Sequence, residues 1–224
     1  MTSHTSNQLW PLSKPAAIFD FDGTIASTGD LWVEVDRAFL AKRGLSYDPS
    51  FSVEMAALGF TDGAQYCIDH FGLDETVQQI CDEWNEMGAQ FYATHVELRP
   101  GAEAYIRALR SAGCKIALAT TNAREVIDST RPRVDVDGLF DVRVHGAEVP
   151  RSKHHPDIYL EAARRLGVTP SDCIVFEDIE PAVRSASRAG CITCGVRSDD
   201  PSQDEKSLRK LSDLWVEDWR DIAL

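Results

Sequence analysis

The chain has 224 residues, enough to bury a full core as one domain or as a domain carrying a smaller module. Its 43% hydrophobic and 26% charged residues exclude the disordered and fibrous classes. A net charge of −13 argues against nucleic-acid and anionic-membrane partners, because phosphate-rich surfaces are gripped by clustered Lys and Arg.

The chain opens on "MTSHTSNQLWPLSKP", which is polar and has no apolar run. Nothing downstream approaches the ~18 consecutive apolar residues of a membrane-spanning helix, so no membrane association and a cytoplasmic address are expected. The segment "AAIFDF" at 16–21 is short and apolar and runs into Asp-Gly, the pattern of a buried strand ending in a turn. "CKIALATTN" (114–122), "DCIVFEDI" (172–179) and "CITCGV" (191–196) share that pattern. Helix-period stretches such as "GAEAYIRALRSAG" and "HPDIYLEAARRLG" precede them, and strands alternating with helices predict an α/β fold with a parallel sheet.

Between the first and second strands, "LWVEVDRAFLAKRG" and "DEWNEMGAQFYATHVE" carry helical periodicity. The spacing predicts a helical cap over 28–96 inserted into a core made of 1–27 and 97–224, with "LRPGAE" (98–103) as the return linker. Near the end, "RSDDPSQDEKSLRK" reads as a polar loop leading into a short helix, and "DLWVEDWRDI" as a last edge strand and turn.

Ligands of a parallel α/β sheet bind outside the carboxyl ends of its strands, so the residues where each apolar run stops are the candidates. The first run stops at Asp20, Asp22, Gly23 and Thr24, the second at Thr120, Thr121 and Asn122, and the third at Glu177 and Asp178, while Lys153 lies in a separate polar stretch. Phosphoryl transfer needs an in-line nucleophile, positive charge around the equatorial oxygens and a proton donor for the leaving oxygen. Strand alternation would put Asp20 and Asp22 on one side, one to attack phosphorus and the other to exchange a proton. Thr120, Thr121, Asn122 and Lys153 are candidate phosphate ligands, and Asp178 with Glu177 beside it suits Mg²⁺, which prefers carboxylate and carbonyl oxygens. The six cysteines lack the paired spacing of a disulfide framework and read as small buried hydrophobes, Cys191-x-x-Cys194 included.

Taken in order, "DFDGT", "ALATTN", "SKHHPD" and "VFEDIEPAV" resemble the four motifs of the haloacid dehalogenase superfamily, in its β-phosphoglucomutase-like and phosphoglycolate phosphatase-like branch. The resemblance implies a Rossmann-like core interrupted after the first strand by a helical cap. It implies Asp20 as nucleophile, Asp22 as acid/base, and Thr120 and Lys153 as phosphate holders. It also implies a Mg²⁺ site formed by Asp20, the Asp22 carbonyl and Asp178, with Glu177 assisting. Asp22 sets the chain apart from the family's dehalogenases, which lack an acid there. Departures are Ile179 and Ala182, where relatives commonly carry a hydroxyl residue and a glycine, and His154 where they commonly carry proline.

From Gly44 to Leu98 there is no Lys or Arg, yet there are ten acids, leaving Arg37, Lys42 and Arg43 as the cations of the predicted cap. "MAALGFTDG" places Ala56 and Ala57, not a basic residue, before Gly59. The expected activity is therefore a phosphatase acting on a small phosphorylated metabolite such as a sugar or polyol phosphate whose other end is neutral or cationic. Acids that merely solvate outer helix faces would give the same pattern. A phosphomutase is the alternative; dehalogenation and a non-catalytic binding role rank below it. A monomer or weak homo-oligomer is expected.

Overall fold

The computed structural model describes residues 14–58, 60–200 and 203–224. The polar amino-terminal segment up to residue 13, Gly59 and the side chains of Ala56 and Ala57 lie outside the described residues, and so does the reading of "MAALGFTDG" that rests on them. In chain order the strands are β1 (Ala16–Phe19), β2 (Lys115–Thr120), β3 (Val142–His145), β4 (Cys173–Glu177), β5 (Ile192–Val196) and β6 (Leu214–Val216). The helices begin with α1 (Gly29–Lys42), α2 (Pro49–Leu58), α3 (Phe60–Phe71), α4 (Val77–His95) and α5 (Ala102–Ser111). They continue with α6 (Arg124–Ser129), α7 (Val136–Leu139), α8 (Asp157–Leu166), α9 (Glu180–Ala189) and α10 (Glu205–Leu211).

The strands form one sheet in the order β3-β2-β1-β4-β5-β6, every neighbouring pair parallel. Chain order therefore runs outward from β1 to one edge and then from β4 to the other, so the direction of winding reverses between β1 and β4, where doubly wound sheets open a crevice. Both strands are buried along their whole length, as central parallel strands must be, and this is why "AAIF" and "CIVF" read as continuous apolar runs. One sheet face packs Ala16, Ile18 and Val175 against Ile158, Tyr159 and Ala162 of α8 and Ala182 and Ala186 of α9. The other face carries an aromatic cluster: Phe19 stacks on Phe176 at 4.5 Å, and Tyr105 and Trp219 close over them at 5.5–6.4 Å. Each such ring, fully buried, contributes about 1.5–3 kcal/mol of apolar transfer, which roots the two central strands firmly.

β1 ends at Phe19, earlier than the sequence pattern implies. The N–H groups of Ile25 and Ala26 both return to the Phe21 carbonyl, and Gly23, at φ +70°, donates its N–H to Ala26 O at 2.9 Å. Asp20 and Asp22 thus sit in a turn, and strand alternation does not relate them. β3 has no counterpart in the sequence reading, and α6 and α7 are likewise additional.

The chain divides into two compact units, one of residues 1–27, 97–123 and 134–224 and the other of 28–96 and 124–133. The helical unit thus contains α6 as well as α1–α4, and Arg133 of its second segment donates from Nε to Val96 O at 2.9 Å. Its core gathers Val35, Phe39, Leu40, Ala64, Cys67, Ile80 and Trp84, with Trp32, Phe60 and Tyr66 packed at the margin. Trp32 donates to the Tyr92 hydroxyl at 3.0 Å. These aromatics are core residues of the unit. α4 starts with a capping box between Thr76 and Gln79, which satisfies two otherwise orphaned amides.

Candidate active site

The crevice residues are supplied by loops that leave the carboxyl ends of adjacent strands. Asp20 follows β1 and is tied to β4 by its own amide, which donates to Phe176 O at 3.0 Å. Glu177 ends β4 and Asp178 follows it. Asp20, Glu177 and Asp178 are all buried, and one carboxylate oxygen from each lies within 4.8 Å of the others. Lys153, buried in the loop before α8, donates from Nζ to Asp20 Oδ1 and to Glu177 Oε1, the latter at 2.7 Å. That loop is anchored by Ser185, whose Oγ donates to His155 O at 3.0 Å, and by Arg188, which donates to His154 O. The side chains of His154 and His155 are exposed. Where relatives commonly place a proline, cross-links from α9 hold this loop.

One ammonium faces three buried carboxylates, and the balance of charge shows in their titration. Burial pushes the Glu177 carboxyl up to about 7, reinforced by the negative charge of Asp20 and opposed by Lys153. Asp178 is driven well above the usual carboxylate range, first by burial and then by Asp20 and Glu177. Burial works against the charge of Lys153, but Asp20 and Glu177 outweigh it and raise its pKa. Glu177 Oε2 is buried with no hydrogen-bond partner among the described residues. A buried oxygen of that kind beside two further carboxylates fits a hard cation with oxygen ligands.

Thr120 and Asn122 are buried at the end of β2, whereas Thr121 is exposed. The Thr120 hydroxyl accepts from the Asn122 amide at 3.1 Å, so that amide caps the strand end. The Asn122 side chain donates from Nδ2 to Asp22 Oδ2 at 2.7 Å. Asn122, expected beside phosphate, is found instead on a carboxylate. Thr24 donates to Asp178 Oδ1 at 3.3 Å, and a Cβ at Gly23 would stand 2.0 Å from Asp178 Oδ2, so glycine is required there both for φ and for space.

Four supporting residues carry no motif. Tyr159 of α8 donates its hydroxyl to Glu177 Oε1 at 2.7 Å. Arg99 and Trp219 hold the turn after β1, donating to Gly23 O at 2.7 Å and to Thr24 O at 3.0 Å. Gln203 donates to Asp178 O at 2.7 Å and to Val196 O at 2.9 Å. The only available sequence signal for them is a polar group interrupting an apolar helix face or following the last strand.

Cys191 and Cys194 lie on opposite faces of the sheet, as residues three apart on an extended chain must: Cys191 belongs to the core cluster that also holds Cys173, and Cys194 does not. All six cysteines are free thiols. Ala182 is fully buried beneath the sheet and Ile179 is 44% exposed.

In the helical unit, Arg43 binds Glu83 at 2.7 Å and Glu75, and Lys42 reaches Glu83 at 3.1 Å. Among the ten acids from Gly44 to Leu98, Glu75 and Glu83 are thereby neutralised and the other eight are exposed. The segment 124–133 also brings Arg124, Arg131 and Arg133 into this unit, so Arg37, Lys42 and Arg43 are not its full complement of cations. No helix among the described residues is long and apolar enough to cross a membrane.

A doubly wound parallel sheet with buried carboxylates and a lysine at its switch point is the architecture of a Rossmann-like α/β enzyme core. The haloacid dehalogenase-like hydrolase profile matches residues 17–196, and the chain belongs to that family. It is 31% identical over 222 residues to the bifunctional riboflavin kinase/FMN phosphatase of Arabidopsis thaliana, covering 96% of this chain and 58% of that relative's length. It is 29% identical to a phosphorylated carbohydrates phosphatase of Thermotoga maritima, over 78% of this chain and 81% of that protein. The crystal structure of CbbY from Rhodobacter sphaeroides in complex with phosphate shares the fold, with a TM-score of 0.82 at 24% identity over 92% of this chain and 95% of that one.

Proposed function

We propose that the chain is a Mg²⁺-dependent phosphatase that hydrolyses a small phosphorylated metabolite, such as a sugar or polyol phosphate, through a phosphoaspartyl intermediate on Asp20. The observation that carries this reading is the buried set Asp20, Lys153, Glu177 and Asp178 at the sheet's switch point. Relatives named as phosphatases support it.

Asp20, Asp178 and the Asp22 carbonyl would hold the ion, with Glu177 behind them. When bound, Mg²⁺ supplies the positive charge that lets a phosphate dianion approach a carboxylate. Lys153 orients the Asp20 carboxylate and adds the second positive charge, and Tyr159 fixes Glu177 so that the lysine is held from both sides. The Thr120 hydroxyl and the Thr121 amide lie at the neighbouring strand end as phosphoryl-oxygen donors. Asp22 protonates the departing oxygen and then takes a proton from the attacking water. The helical unit, inserted at 28–96, acts as the cap that selects the substrate.

The charge argument for a neutral or cationic substrate end loses its footing, since the ten acids from Gly44 to Leu98 are exposed or paired with Arg43. A phosphomutase, which would pass the phosphoryl group from Asp20 to a second substrate hydroxyl rather than to water, is the second reading. A phosphate-release screen with Mg²⁺, run beside Asp20→Asn, tests the proposal. Release of inorganic phosphate without an isomerised product, lost in the variant, is the expected result; wild-type turnover by Asp20→Asn would remove the nucleophile assignment.

A further inference from the structure

Asp22 sits in a turn, outside the hydrogen-bonded ladder that fixes its neighbours in β1, so a proton carrier at this position needs another source of orientation. Asn122 is built to provide it. The residue is 2% exposed, its main-chain amide is committed to Thr120 Oγ1 at 3.1 Å, and its carbonyl accepts from His145 Nδ1 at 3.0 Å. With both main-chain groups engaged, the carboxamide Nδ2 donates to Asp22 Oδ2 at 2.7 Å.

We infer that Asn122 is a positioning residue for the proton transfers of Asp22 rather than a phosphate ligand, an inference that rests on the phosphatase reading above. An amide N–H on Oδ2 holds the carboxyl group by that oxygen while it exchanges a proton with the reacting oxygen. In the first half-reaction an Asp20 oxygen bonds to phosphorus as the ester P–O bond breaks. The proton on the Asp22 carboxyl passes to the departing oxygen, which leaves as a neutral alcohol, and Asp22 is left as a carboxylate held by Asn122. In the second half-reaction a water oxygen bonds to phosphorus, its proton passes to the Asp22 carboxylate, and the aspartyl-phosphate bond breaks to give inorganic phosphate and the Asp20 carboxylate. Asn122 takes no part in bond making. It keeps the carboxyl group in place while that group gains and loses the proton.

A role of this kind has a signature that a phosphate ligand lacks. General-acid help matters most when the leaving group is basic, so its loss falls unevenly across leaving groups, whereas a lost phosphate contact costs every substrate alike. The experiment compares phenyl phosphate with p-nitrophenyl phosphate, whose leaving oxygen departs without a proton, in the Mg²⁺-loaded full-length chain. Asn122→Leu is expected to lower kcat on phenyl phosphate by about tenfold or more and on p-nitrophenyl phosphate by less than about threefold. In an Asp22→Ala background the same change should cost nothing further, because the group it positions is gone.

Equal losses on the two esters, or an undiminished loss in the Asp22→Ala background, would overturn the inference and return Asn122 to phosphate binding or scaffolding. Asp22→Ala alone separates the two levels of the argument. If it shows no dependence on the leaving group, the acid role of Asp22 fails; if it does and Asn122→Leu does not, only the role of Asn122 fails. Asn122→Ala serves as the second variant, and circular dichroism melting confirms that each compared protein is folded.

Discussion

Lys153 and Glu177 lie 2.7 Å apart, Nζ to Oε1, both buried, and the same ammonium donates to Asp20. Among the described residues the lysine is the only cation in direct contact with these carboxylates, so its removal leaves negative charge buried without compensation. Breaking a buried pair by deleting one partner costs about 3–5 kcal/mol. Lys153→Met is therefore expected to lower the melting temperature of the metal-free protein markedly and to reduce kcat/KM by at least about a hundredfold. Part of the lost stability should return when Mg²⁺ is added. A melting curve unchanged from wild type would show that the three carboxylates do not depend on the lysine.

Gly23 and Asp178 define a second constraint. A methyl group at position 23 would overlap Asp178 Oδ2, and φ +70° is strained for any L side chain. The backbone strain alone is about 1–3 kcal/mol. Gly23→Ala should thus displace Asp178 and cut turnover by about a hundredfold or more, with a smaller loss in thermal stability. Steady-state kinetics set beside calorimetry will show whether activity falls further than stability, as this geometry requires.

The carboxylate cluster also makes a prediction that needs no substrate. A cation held by the native state alone stabilises it by about 2.7 kcal/mol at a hundred times its dissociation constant, a rise of roughly 5–10 °C for a chain of this size. Mg²⁺ should raise the melting temperature of chelator-treated protein, and Asp178→Asn should abolish the rise. An equal shift in that variant would place the ion elsewhere.

The sheet was readable because central parallel strands are buried on both faces, which is why "AAIF", "KIALAT" and "CIVFE" announce themselves as apolar runs. β3 was not, because Arg143 interrupts "VRVH", and an edge strand tolerates this when the guanidinium finds Asp137 at 3.3 Å. The candidate nucleophile and metal-binding acids stood out at the ends of these runs. The partnership of Asn122 with Asp22 did not, since the two are a hundred residues apart and only the pairing of β1 with β2 brings them together. The D-x-D spacing invited a strand argument, but the Gly23 turn overrides it, and a single glycine is a weak signal for where a strand stops. The extent of the helical unit escaped for a similar reason: α6 is only six residues long, and nothing in its local pattern says which unit it joins.

The helical unit carries its own buried acid, and its pH behaviour can be tested apart from the site. Asp36 is 8% exposed on α1 and accepts from Ser52 Oγ at 2.5 Å, while Tyr47 shares a hydrogen bond with the same Ser52 hydroxyl at 3.0 Å. Burial pushes its pKa from 3.8 up to about 6, and the Ser52 hydrogen bond only partly opposes this. The folded state thus holds a proton that the unfolded chain releases near pH 4. Between about pH 4 and pH 6 the native state binds more protons than the unfolded state, so stability falls as pH rises through this window and levels off above it. The full effect is on the order of 3 kcal/mol. Asp36→Asn keeps an acceptor for Ser52 and carries no charge. The variant should match wild type near pH 4 and exceed it by about 1–3 kcal/mol at pH 7.5, measured by urea denaturation across the range. A difference between the two proteins that stays constant with pH would mean that Asp36 titrates normally and that its burial is relieved by water.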